Sequence, residues 1–146
     1  MRPRDPQFWD GASFALRLLL AFVHVLFGMP FLMRPNIPLL FDSFSAFDDL
    51  FPASHWGWWS LIAALLLILV PTRVPLGLIS TAFSAYLMFA IGATFGQGAG
   101  LIPGTTVYSI GLGGVALLLF MRALWLWVHV KPWFQALARR GGQHGR

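Results

Sequence analysis

Arg17 and His24 interrupt an otherwise apolar run between Ala12 and Met29. They are seven residues apart, so a helix would carry them on one face. An ionisable group inside a membrane span is a functional-site hypothesis by default, because burying it in lipid is costly. The chemistry available to such a pair is a proton or ion path. That path needs further polar groups at the same depth. Ser80, Thr81, Ser84 and Tyr86 can supply hydroxyls, but no acidic residue stands with them. The alternative is structural. Arg17 is about one turn inside the run and can extend its guanidinium to the headgroups. His24, near the middle, can use a neutral imidazole to bond a carbonyl or hydroxyl of a neighbouring helix. The expectation is packing for both residues.

The other candidate constellations fail on spacing or depth. His24 and His129 do not make a pair of axial haem ligands. His24 is about 12 residues, or roughly 18 Å, in from the inner end of its span, whereas His129 follows Trp125 and Trp127 at the surface. His55 stands among Trp56, Trp58 and Trp59, and reads as a wet interfacial residue. Asp42, Asp48 and Asp49 read as a solvated face and not a cation site. Gly96-Gln97-Gly98-Ala99-Gly100 follows no strand and lacks the Lys-Ser/Thr of a phosphate loop. With no cysteine in the chain, thiolate chemistry and cysteine–metal sites are excluded. The sequence therefore predicts no catalytic, cofactor-binding or metal-binding residue, no cofactor, and no enzyme.

What must position these residues is set by hydropathy. The chain has 146 residues, of which 58% are hydrophobic and 10% charged. Soluble domains carry about a quarter charged residues, so this chain cannot cover itself with polar surface. The expected class is all-α: a single polytopic membrane domain over residues 1–146 with four transmembrane helices. The spans are expected at about 12–29, 55–70, 75–95 and 104–124. Pro30 should end the first, which reads as a retained span and not a cleaved signal peptide. From Leu61 to Val70 the second has no polar side chain. At about 16 residues it reaches roughly 24 Å, against a hydrocarbon core of roughly 30 Å. Pro71 to Pro75 is a tight reversal, with Pro75 suited to a helix's first turn.

The connections carry their own signals. Phe44, Phe47 and Phe51 recur at helical spacing, with Asp42, Ser45 and Asp49 opposite. That pattern predicts a short interfacial helix at about 43–51, between spans 1 and 2. Small residues line up on the third span, with Gly77, Thr81 and Ala85 on one track and Ser84, Gly92 and Gly96 near another. Such residues let helix backbones approach closely in lipid. Gly92 to Gly104 is expected as a glycine-rich outer loop. Arg122 is placed to snorkel, and residues 131–146 form a basic cytoplasmic tail.

The net charge of +5 is not a nucleic-acid signal here. Arg2, Arg4, Arg17, Arg73, Arg122, Lys131, Arg139, Arg140 and Arg146 fall on or near one side, and Arg34 with the aspartates on the other. The positive-inside rule then places both termini in the cytoplasm. The expected partners are the bilayer and its anionic lipids at the basic face, with a homo-oligomer or a membrane complex beyond them.

Two family resemblances follow. A first span, a Phe/Ser-rich connection, the run Phe51-Pro52-Ala53-Ser54-His55-Trp56-Gly57, two spans about a short basic turn, and a tyrosine-bearing last span (Tyr108-Ser109-Ile110-Gly111) resemble the small four-span, holin-like proteins of tailed bacteriophages. That resemblance implies insertion in the inner membrane, self-association and, as one outcome, lesions for lysis. Arg17, Gly28 and the Thr72-Arg73 turn resemble DoxX-like four-span proteins, although His55-Trp56-Gly57 stands where that family has an acidic residue. That second resemblance implies a redox-associated role. An accessory subunit of a membrane complex or virion, and a small channel or transporter, complete the functional alternatives.

Overall fold

A computed structural model describes residues 6–72, 74–99 and 103–130. The described chain is helical. Helix α1 covers Pro6–Met33, α2 Ile37–Leu40, α3 Ser45–Leu50, α4 Ala53–Leu69, α5 Pro75–Ala99, α6 Pro103–Thr106 and α7 Gly113–Val130. A 3-10 turn at Asp42–Phe44 leads into α3, and a π-helical stretch at Val107–Leu112 joins α6 to α7. Three stretches are long and apolar enough to cross a membrane: Gly11–Met33, Pro75–Gly98 and Val107–His129. The fourth apolar helix, Ala53–Leu69, is shorter at 17 residues.

The four long helices form a bundle. Helix α1 packs along α4 and α5 along α7, with α4 also against α5 and α1 also against α7. Helices α1 and α5 therefore face each other across a diagonal. One core layer joins Leu20 and Ala21 of α1 to Ala64 and Leu67 of α4, Ala85 of α5, and Ala116 and Leu119 of α7. A second, aromatic layer lies toward the other end: Phe27, Phe31, Phe47, Ala53, Trp56, Ile91 and Phe95.

Several sequence expectations are corrected. Helix α1 does not stop at Pro30 but runs on to Met33 with Pro30 inside it. Proline removes one backbone donor, yet the ladder resumes immediately, with Arg34 N–H donating to the Pro30 carbonyl at 2.8 Å. The expected glycine loop is largely helix, since α5 continues to Ala99. Its glycines mark close approaches and not turns. A Cβ on Gly92 would overlap the Ser109 hydroxyl, and one on Gly98 would touch Ser45 Oγ at 3.3 Å.

The segment at 43–51 is a 3-10 turn plus the short α3, and its phenylalanines turn into protein. Phe47 is fully buried, with ring centroids 5.1 Å from Phe95, 5.2 Å from Trp56 and 5.5 Å from Phe31. Aromatic pairs contribute about 0.5–1.5 kcal/mol each beyond their area, so the face closes the end of the bundle. Only Phe51 of the three remains exposed.

Charged side chains from other elements bracket α4. Asp48 Oδ1 accepts from Ala53 N–H at 2.9 Å, at the helix's first turn. At the opposite end an Arg17 Nη2 donates to the carbonyl of Val70, the residue capping α4. An anion at the N-terminus and a cation at the C-terminus both complement the helix dipole.

Candidate functional site

Two polar sites lie inside this bundle. The first is central. His24 is fully buried, and its Nε2 is 2.9 Å from Ser84 Oγ, across the α1–α5 diagonal. Of the two partners expected for the imidazole, a carbonyl or a hydroxyl of another helix, it meets the hydroxyl. The seam around it also buries Ser60, Ser80, Thr81 and Thr94. Two of these hydroxyls are used locally: Thr81 Oγ1 donates to the Leu78 carbonyl at 3.0 Å, and Thr94 Oγ1 to the Ala90 carbonyl at 2.8 Å. His24 Nδ1, Ser60 Oγ and Ser80 Oγ have no protein partner among the described residues. Among the described residues none of the buried polar groups is a carboxylate. The seam can hold helices together, but it offers no acid to relay a proton.

The backbone explains why His24 fits. On α1, Gly28 lies one turn beyond His24, and a Cβ there would stand 2.8 Å from the Gly57 carbonyl oxygen of α4. Gly57 faces back on Gly28, where a Cβ would stand 2.9 Å from its carbonyl oxygen. The two backbones meet at this crossing, and Ser60 packs beside it. Close backbone approach between helices is the use small residues have in lipid.

The second site is a cleft of about 280 Å³ at the opposite end from the aromatic layer. Ser13, Phe14 and Arg17 of α1, Pro71 and Thr72 of the α4–α5 turn, and Leu119, Arg122, Ala123 and Leu126 of α7 line it. Arg17 is 7% exposed. Its guanidinium donates to the carbonyl of Val70 and so caps α4. Its Nε has no partner among the described residues. Arg122, half-buried on α7, donates to Ser13 Oγ. Two guanidinium-bearing residues thus share one cleft, and no carboxylate is among the described residues lining it.

Sequence reasoning named Arg17 and Arg122 separately and missed that they converge. A usable signal existed. Both lie near the basic ends of the first and last spans, and those ends meet if the first and last helices adjoin. Ser13 and Thr72 carried no such signal.

The remaining candidates lie apart from both sites. His129 Nδ1 is 3.0 Å from the Trp125 carbonyl on its own helix, and its ring stacks on Trp125. His55 is exposed, edge-on to Trp59 at 6.0 Å. Among the described residues no cluster of His, Asp or Glu could hold a metal. Arg2, Arg4, Arg73 and the basic tail at 131–146 lie outside the described residues. No family model matches the chain, and neither a curated protein nor a solved structure matches it.

Proposed function

We propose that this chain is a non-enzymatic protein that crosses the bacterial cytoplasmic membrane four times, with both termini inside, and self-associates there in the holin-like manner. The fourth crossing rests on one observation, the antiparallel pairing of α4 with α1. Arg17 bonds Val70 at one end of the pair, and Gly28 meets Gly57 at the other. Between these contacts α1 covers about 16 Å and α4 about 20 Å at the helical rise. Helix α4 thus shares α1's depth, and if α1 crosses then so does α4. At 17 residues, or about 25 Å, it stands upright or thins the bilayer. Four crossings bring the ends to one face, and the basic residues favour the cytoplasm for that face.

Self-association draws support from α7. Its candidate span is only 22% buried, the least of the three. Ile110, Leu118, Met121 and Trp125 point outward, and Gly111 and Gly114 have open space where a Cβ would stand. The small residues of α5, by contrast, are consumed within the monomer. A second reading, an accessory subunit of a larger complex, draws on the same exposed α7 face, which a different protein can cover as well as a second copy.

One experiment separates the readings. The chain has no cysteine, so Leu118→Cys provides a single thiol on α7's outer face. In native membranes, oxidation is expected to give a homodimer. A crosslink to a different protein would favour the accessory subunit, and monomer alone would reject both uses of this face. Following membrane potential during induced expression then tests the lytic outcome, since sustained potential at high expression rejects lesion formation.

A further inference from the structure

We propose that the cleft between α1, the α4–α5 turn and α7 is a binding site for one phosphate group, that of an anionic phospholipid headgroup. The proposal rests on the four-crossing reading for its membrane depth, and on the cleft's own chemistry for its ligand.

The argument starts from an unbalanced charge. Arg17 is 7% exposed, and burying a cation is costly unless a counter-charge meets it. Its hydrogen bond in the described structure goes to a neutral acceptor, the Val70 carbonyl. A carbonyl orients the guanidinium but does not neutralise it. Arg122 brings a second guanidinium to the same cleft, where it donates to Ser13 Oγ. Phosphate is the anion for which guanidinium geometry is best suited, since the planar fork pairs two N–H groups with two phosphate oxygens. The hydroxyls of Ser13 and Thr72, both in the lining, can donate further bonds.

The rest of the lining favours a lipid as the source of that phosphate. Phe14, Leu119, Ala123 and Leu126 are apolar, and Phe14 is 58% exposed beside the guanidiniums. An acyl chain can lie along such a surface while the headgroup enters the cleft. At about 280 Å³ the cleft is just below the range of about 300–1,000 Å³ used by drug-sized ligands, which suits a headgroup and not a whole lipid. The depth also fits. Arg17 is near the beginning of the first apolar stretch, Gly11–Met33, and Arg122 near the end of the last, Val107–His129. The occupant thus joins the first, second, third and last long helices at one end.

The test uses the full chain in a neutral detergent, titrated with phosphatidylglycerol, phosphatidylcholine or inorganic phosphate, with bound lipid counted by native mass spectrometry. One phosphatidylglycerol is expected to be retained per chain. Arg122→Gln should weaken it by about tenfold or more, the loss of one charge-assisted contact. Arg34→Gln, at the other end of the bundle, should leave it unchanged. Ser13→Glu places a carboxylate beside Arg122 and should also displace the lipid, so the proposal stays testable if Arg122→Gln does not fold. Equal retention of phosphatidylcholine and phosphatidylglycerol would overturn the anionic preference. Displacement of the lipid by millimolar inorganic phosphate would assign the cleft to the free anion and overturn the lipid source. Unchanged retention in both cleft variants would overturn the site.

Discussion

The buried imidazole of His24 shows how one side chain can join helices that do not otherwise touch closely. Its partner, Ser84, is 60 residues away, and the bond crosses the α1–α5 diagonal. Interhelical polar contacts in membranes average about 0.6 kcal/mol and reach about 1.7. A double-mutant cycle with His24→Leu and Ser84→Ala, followed by thermal unfolding in detergent, is expected to give a coupling energy in that range. A coupling near zero would return the contact to simple packing. Glycines give a prediction of opposite signs. Gly28→Ala puts a Cβ within 2.8 Å of the Gly57 carbonyl oxygen, and should destabilise by about 1–3 kcal/mol through overpacking. Gly111→Ala meets nothing within 4 Å, and should be neutral or stabilise by up to about 1 kcal/mol through helix propensity. Thermal midpoints of the two variants check both signs.

Helix α4 is the element on which the architecture turns, and both its ends are held by residues from elsewhere. Its sequence alone predicts a marginal span, because a helix of 17 residues falls short of the hydrocarbon thickness. Asp48 at one end and Arg17 at the other add favourable interactions with its dipole. Asp48→Asn is expected to cost about 0.5–1 kcal/mol of thermal stability, the worth of a charge at a helix terminus. Phe47→Ala, which empties the centre of the aromatic layer, should cost about 3–5 kcal/mol. A Phe47→Ala variant as stable as the parent would place this face back in the membrane interface. The same helices show why sequence pattern misplaced some boundaries. Glycine density from Gly92 to Gly100 has the composition of a loop, but α5 extends to Ala99 because Thr105, Ser109 and the start of α3 press against those glycines.

For the whole molecule, the central prediction concerns sidedness. Single cysteines at Thr72 and Phe51 flank α4 on opposite ends. If α4 crosses, a membrane-impermeant thiol reagent applied to intact cells should label Phe51→Cys and spare Thr72→Cys, and in inverted vesicles the pattern should reverse. Labelling of both positions from one side would remove the fourth crossing, and with it the shared face for the termini.

The membrane class, the all-helical composition and the approximate place of each apolar run were legible from sequence alone. Hydropathy and charge are sums over local residues, and only helices or closed barrels satisfy the backbone in lipid, of which continuous apolar runs fit the helix. Even the His24 bond to a hydroxyl followed from a local argument, since a mid-span imidazole must find some partner. The choice of partner was decided only in three dimensions. Arg17 caps α4 because Val70 lies within reach, and Phe47 faces lipid or protein according to where Trp56 and Phe95 stand. The convergence of Arg17 and Arg122 likewise depends on which helices adjoin. These are relations between residues far apart in the chain, and no local pattern encodes which helix packs against which.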